Sequence, residues 1–259
     1  MNELVETVEG GVATLVLNRP ERRNAIHPPL CDALLERLTD LAGRDDVGVV
    51  VLTGAEGAFC AGGDVKHMPA IKRQEPADRI ANLRRWGRIA LLLHTMPKVT
   101  IAMVNGVAAG AGFSIALACD LRIAGRAARF VTSYARMGLT GDYGGSWLTQ
   151  RLLGPLKARE LYLLGETVSA EEALAVALVT RVVEDGELAA ETQALARSLA
   201  EGPRRAQAMI KANLVAAETM TLEALIDFEA VHHVEASLTA DHREAFAAFQ
   251  ERRKPVFGR

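Results

Sequence analysis

Apolar and polar positions along the chain fall into blocks with two different periods. Residues 5–20, VETVEGGVATLVLNRP, alternate on both sides of Gly10 and Gly11, which predicts a β-hairpin. A polar, basic loop runs from Asn18 to His27. The next block, PPLCDALLERLTDLAG over 28–43, changes to the helical period. Its prolines suit a helix start, and Leu30, Leu34, Leu38 and Leu41 share one face. VGVVVLTG (47–54) is a continuous apolar run ending in glycine, the pattern of a buried parallel strand. A glycine-rich turn, GAFCAGGD, follows, then a polar stretch to about Asn82 and a helix over roughly Ala81 to Thr95. KVTIAMVNG (98–106) reads as a second buried strand, AAGAGFSIALACD as a glycine-rich entry to a small-residue helix, and LRIAG (121–125) as a third strand.

The first two-thirds therefore repeats one plan of strand, glycine-rich turn and helix, an α/β layout whose functional groups belong at the strand-to-helix turns. From Gly154 the pattern is almost wholly helical. Ser169 and Glu172 form a capping box, and helical periods cover about 187–200, 203–218, 221–238 and 241–253. The division is a core over residues 1–195 and a helical region over 196–259, whose apolar faces suit burial against another subunit.

Charge and cysteine content narrow the function classes. A net charge of −2 gives no global basic field for nucleic acid or an anionic membrane. No apolar run reaches the roughly 18 to 20 residues of a membrane span, and the N-terminal MNELVETVEGG has no apolar signal region. Three cysteines, Cys31, Cys60 and Cys119, without CxxC or Cys/His spacing, predict reduced thiols, a cytoplasmic protein and no metal site.

Two turns carry candidate chemistry. In FCAGGD and NGVAAGAGFS a strand meets tiny residues where a helix can begin, so backbone amides are free to approach an anion. One amide from each turn could hold an enolate or tetrahedral oxyanion; close helix–sheet packing explains the same glycines equally well. Neither is a phosphate loop, since GxxxxGK[ST] and the full GxGxxG are missing. In GLTGDYGGS (138–146), Asp142 is a lone carboxylate among glycines, either a buried base or a cap for the helix that follows.

Taken together, AFCAGGD, KVTIAMVNGVAAGAGFSIALACDLRIAG, MGLTGDYGGSWLTQRLLG, KARELYLLGETVSAEEALAVALVTRVV and AFAAFQERRKPVF resemble the enoyl-CoA hydratase/isomerase (crotonase) family, over nearly the whole chain and in one order. The resemblance implies a crotonase-like spiral of β-β-α turns and a C-terminal helical trimerisation region, giving a homotrimer or homohexamer. It also implies an acyl-CoA thioester ligand, with coenzyme A as part of the substrate and no separate cofactor or metal, while the acidic net charge counts against a nucleic-acid partner. Carried over by position, the oxyanion donors fall on Gly63 and Ala111, the latter with alanine where glycine is usual. Coenzyme A contacts fall on Arg23 and Ala25, on Ala61 and Gly62 of the first turn, and on Lys254 or Phe257 of the tail.

The departure from the family is chemical. The two glutamates of its hydratases correspond to Ser114 and Tyr134 here, so a two-glutamate hydration is not expected. The aspartate at 142 is shared in the resemblance with dienoyl-CoA isomerases, 1,2-epoxyphenylacetyl-CoA isomerases and chlorobenzoyl-CoA dehalogenases, the second group being most similar in motif. That implies a single-base proton shuttle by Asp142, with Tyr134 and Tyr143 lining the acyl pocket or orienting the carboxylate. The pocket walls are expected from about Lys66 to Asn82. Alternatives are a hydratase with an atypical site and a non-catalytic acyl-CoA-binding protein. His67 and His94 read as surface or cap histidines, Trp86 and His94 lack dehalogenase placement, and His232 and His233 suggest no metal motif.

Overall fold

The computed structural model describes residues 2–67 and 73–258. Strands β1 (Leu4–Glu9) and β2 (Val12–Leu17) pair antiparallel through Gly10 and Gly11. Both glycines are left-handed, with φ of 57° and 80°, as a two-residue hairpin turn demands. Four parallel strands extend this hairpin: β3 (Val49–Gly54), β5 (Val99–Val104), β7 (Leu121–Gly125) and β10 (Arg181–Val183), in the order β1-β2-β3-β5-β7-β10.

A second, four-stranded sheet is built from very short strands: β4 (Ala58–Cys60), β6 (Val107–Ala109), β8 (Arg129–Val131) and β9 (Val168–Ser169). Each of the three central units thus sends one strand to each sheet before its helix, which is the β-β-α spiral. The apolar pattern predicts only turns where β4 and β6 lie, because three residues bounded by glycine show no period.

One face of the large sheet packs on α1 (Pro28–Gly43), α2 (Pro76–Thr95) and α3 (Ala111–Ala118). Leu30, Leu34, Leu38 and Leu41 are all buried, as the spacing predicts. Helix α2 begins five residues before the expected Ala81, since its first turn, from Pro76, is polar and exposed and carries no apolar period. Its proline at the first position and Asp78 in the first turn are start signals of another kind. Beyond α4 (Gly145–Leu164), interrupted by a positive φ of 76° at Gly154 before Pro155, comes α5 (Ala170–Ala175), with the expected capping box at Ser169 and Glu172.

The other sheet face is covered by α6 (Leu188–Ala200), whose Leu188, Ala196 and Ala200 cluster with Val49, Val51, Ile101 and Ile123. Residue 195 lies within this helix. Helix α7 (Arg204–Ala217) is anchored by buried Lys211, whose Nζ donates to the carbonyls of Leu93 (2.8 Å) and Lys98 (3.0 Å) and to Asp120 (2.8 Å). Helices α8 (Leu222–Ser237) and α9 (Ala240–Glu251) complete the chain.

Candidate active site

The two glycine turns interlock. Gly62 is left-handed (φ 91°), and a β-carbon there would lie 2.8 Å from the Ala109 carbonyl and 3.6 Å from the Ala111 amide. A β-carbon on Gly112 would collide with the Cys60 carbonyl. Only glycine lets these backbones approach so closely. Ile26 pairs with Gly63 as a single parallel bridge, using the Gly62 carbonyl and the Asp64 amide, each at 2.8 Å. The amide of Gly63 itself, between them, stays off that ladder. Ala111 opens α3, so its N–H is one of the amides a helix start leaves without an internal partner. Every residue of α3 is buried, which keeps the positive end of its dipole out of water. Gly63 and Ala111 both line one cavity of about 280 Å³.

Asp142 lines the same cavity, and it does not cap the helix beside it. The cap of α4 is Gly144, and no side chain bonds that helix start. The Asp142 carboxylate instead accepts the Tyr134 hydroxyl at 2.6 Å. Burial raises its pKa above the ordinary carboxylate value, and the Tyr134 hydrogen bond offsets part of that rise. The segment is held in costly backbone conformations: Ser133 (φ 60°) and Tyr143 (φ 50°) are left-handed without being glycine. Such residues cost on the order of 1–3 kcal/mol each and gather at functional sites.

Ser114 and Tyr134, the positions of the missing glutamates, face each other with their hydroxyls 3.1 Å apart. Burial first, then the Asp142 charge, pushes the Tyr134 phenol far above its ordinary pKa, so it acts as a donor and not as a base. Tyr143 turns its hydroxyl to the Cys31 thiol, 3.3 Å away. The opposite wall is a helical stripe of α2, Arg79, Asn82, Leu83 and Trp86. Trp86 is pinned by its indole N–H, which donates to Asp32 at 2.6 Å. The expected wall, 66–82, supplies Gln74, Arg79 and Asn82, while residues 68–72 lie outside the described ones.

Of the residues nominated from sequence, Gly63, Ala111, Tyr134, Asp142 and Tyr143 come together on this cavity. Arg23, Ala25, Ala61 and Gly62 sit beside it, where the Ala61 amide donates to the Arg23 carbonyl (3.0 Å) and Gly62 accepts from Ile26. Buried Arg19 ties this loop to the first turn, bonding the Ala25 carbonyl at 2.6 Å and Asp64 at 2.9 Å. Lys254 and Phe257 are not on the cavity. Their tail folds back on α9, with the amides of Val256 and Gly258 donating to Glu244 and Asp241.

His27 and Cys31 line the cavity and have no signal in the sequence pattern. They arrive there because the long-range Ile26–Gly63 bridge sets the start of α1 against the first turn. His27 bonds Glu3 at 2.7 Å and stacks on His67, ring centroids 4.8 Å apart.

A sequence model of the enoyl-CoA hydratase/isomerase family matches residues 7–259. The chain belongs to that family of enzymes. It is 39% identical to a 1,2-epoxyphenylacetyl-CoA isomerase of Escherichia coli (strain K12), over 99% of this chain and 98% of that one. It is 32% identical to a trans-2-decenoyl-acyl-carrier-protein isomerase of Streptococcus mutans, over 98% and 97% of the two chains. The crystal structure of an enoyl-CoA hydratase from Polaromonas sp. JS666 superposes with a TM-score of 0.92 at 36% identity, covering 98% of this chain and 99% of that one.

Proposed function

We propose that this enzyme is an isomerase that shifts a proton, and with it a double bond, along an enoyl-CoA thioester. The observation that carries this reading is Asp142: a carboxylate that accepts the Tyr134 hydroxyl and, among the described residues, pairs with no cation, in the same cavity as two backbone amides suited to an oxyanion. The thioester oxygen binds the amides of Gly63 and Ala111, a pair in which each donor contributes about 3–4 kcal/mol to the charged intermediate. That makes the α- or γ-hydrogen acidic. Asp142 removes it as the electrons pass into the enolate, then returns it at the other end of the conjugated system. The proton shift involves no net oxidation or reduction, so the chemistry calls for no cofactor beyond the coenzyme A of the substrate. Arg23, Ala25, Ala61 and Gly62 are assigned to the coenzyme A arm; Lys254 and Phe257, on a tail that lies against α9, are assigned to it only if that tail leaves this position.

The relatives support both isomerase and hydratase names, and the hydroxyls of Ser114 and Tyr134 in place of two glutamates favour the first. Incubation with a 3-enoyl-CoA tests this: the conjugated thioester absorbance grows with the native protein and not with Asp142→Asn. Hydration of a 2-enoyl-CoA without isomerisation, or unchanged isomerisation by Asp142→Asn, would falsify the reading.

Residues 1–195 are assigned to substrate and 196–259 to self-association as a homotrimer or homohexamer. Large apolar side chains on the last helices support the latter, with Leu214, Leu222, Leu238 and Phe249 between 67% and 82% exposed. Sedimentation showing a monomer at micromolar concentration would remove it. The buried free thiols of Cys31, Cys60 and Cys119 support a cytoplasmic setting.

A further inference from the structure

We infer that Tyr134, backed by Ser114, is a positioning residue that commits one oxygen of Asp142 and leaves the other as the sole proton carrier, a role that rests on Asp142 being the shuttle. The Tyr134 hydroxyl has a single hydrogen, and an ionised Asp142 has none. The 2.6 Å contact to Oδ1 is therefore a bond that Tyr134 donates. With its own hydrogen spent, the Tyr134 oxygen is left as an acceptor for Ser114 Oγ at 3.1 Å, a shorter contact for that hydroxyl than the Gly110 carbonyl at 3.4 Å. Accepting that bond polarises the phenol and strengthens its own donation. The ring is clamped from the other side by Tyr162, stacked at 5.7 Å with planes 16° apart.

The chain of bonds has a geometric consequence. Ser114 stands on α3 three residues after Ala111, one turn along the same short helix. One rigid element thus carries an oxyanion donor at its first residue and the support for the base one turn later. Ala111, Ser114, Tyr134 and Asp142 form a continuous link that sets the distance between the site for the thioester oxygen and the carboxylate. With Oδ1 taken, Oδ2 accepts the hydrogen as its C–H bond breaks and the electrons enter the enolate. The same Oδ2–H bond then breaks as the new C–H bond forms. The proton moves along one face of the ligand, and no other reactant enters.

The other titratable groups facing Asp142 keep the readout clean. Burial raises the Cys31 thiol to about 11 and the Cys60 thiol to about 12, and it also raises the phenols of Tyr143 and Tyr162. His27, Asp64 and Arg79 also line the cavity, and the hydrogen bonds of the Tyr134 hydroxyl go to Asp142 and Ser114 and not to them.

The experiment compares the native protein with Tyr134→Phe and Ser114→Ala. Two quantities are read: the titration of the Asp142 carboxyl by NMR in the ligand-free protein, and the pH profile of kcat/KM for 3-enoyl-CoA isomerisation. Tyr134→Phe removes the donor that favours the ionised carboxylate, so both the titration and the acidic limb move to higher pH. At the acid end kcat/KM falls about tenfold, while on the plateau it falls no more than about threefold. Ser114→Ala moves both quantities the same way by less, and it carries the test alone should Tyr134→Phe fail to fold. A titration and limb that coincide with the native ones overturn the proposal even where kcat is lower, because a packing defect rescales a profile without moving it. Native turnover by Asp142→Asn sinks the shuttle instead, and the ligand-free titration still reports separately on the Tyr134 bond.

Discussion

Asp142 and Asp120 are half-buried carboxylates on the walls of two different cavities, and the fold surrounds them differently. Asp120 borders a space of about 480 Å³ between α2, α4 and α7. Its Oδ2 receives the ammonium of Lys211 at 2.8 Å, the Thr100 amide at 2.7 Å and the Thr100 hydroxyl at 3.0 Å. Asp142, among the described residues, accepts a side-chain hydrogen bond from one phenol and faces walls that mix Leu83, Trp86 and Leu139 with polar side chains such as Asn82. The bonds of Asp120 and its counter-charge serve to fasten helix α7 to the sheet. A carboxylate kept short of donors stays ready to exchange a proton. The same side chain is an anchor in one place and a candidate base in the other, and the difference lies wholly in the partners supplied.

Exchanging each acid in turn is the sharpest way to break this contrast. The largest effect belongs to Asp142→Asn, with a fall in isomerase kcat of about a thousandfold, the middle of the range for a positioned base. Steady-state assay at the plateau pH measures it, and a loss of less than tenfold places the proton transfer elsewhere.

Next in size is Asp120→Ala, which leaves the Lys211 ammonium, 8% exposed, without its counter-ion. Stripping one member from such a pair costs about 3 kcal/mol or more. Denaturant melts should show that loss, while turnover per folded molecule stays native. If activity and stability fall together, α7 and the active site are coupled, and the two carboxylates are not separate devices.

The sequence exposes the two acids unequally, for physical reasons. Elements with a sustained period were legible: the hairpin at Gly10–Gly11, the leucine face of α1, the capping box at Ser169 and the long final helices. The three-residue strands of the second sheet were not, and neither was the polar first turn of α2. Glycine clusters marked both turns of the candidate oxyanion site, yet their mutual contact, with Gly62 against Ala109, depends on strands distant in sequence. Asp142 stood out because it is the only acid in its stretch, but residue spacing left capping and catalysis open. The cap is ruled out by the helix start, which no side chain bonds, and the carboxylate turns instead to Tyr134, across a turn that requires left-handed Ser133 and Gly138. No periodicity reports such a contact. Asp120 and Lys211, 91 residues apart, were likewise invisible.

The smallest expected effect tests the contrast most directly, through stability and its dependence on pH. Burial raises the pKa of Asp142 in the folded state. Folded protein therefore holds that proton more tightly than unfolded chain, whose value is about 3.9. Between the two values the native state is the proton-rich one, so this group's contribution to stability declines as pH rises through that window. Above it, the ionised, poorly solvated carboxylate is a standing cost to the fold. Asp142→Asn removes that cost, and the variant should melt higher than the native protein at neutral pH, by about 0.5–1 kcal/mol. The gain should shrink as pH falls and vanish below the unfolded value, where both side chains are neutral in both states. Asp120→Asn should instead lower the melting temperature at neutral pH, since it discharges the partner of a buried ammonium. Thermal melts of both variants across pH check the pair. If Asp142→Asn melts lower at neutral pH, Asp142 is an anchor like Asp120, and the readiness to exchange a proton assigned to it is lost.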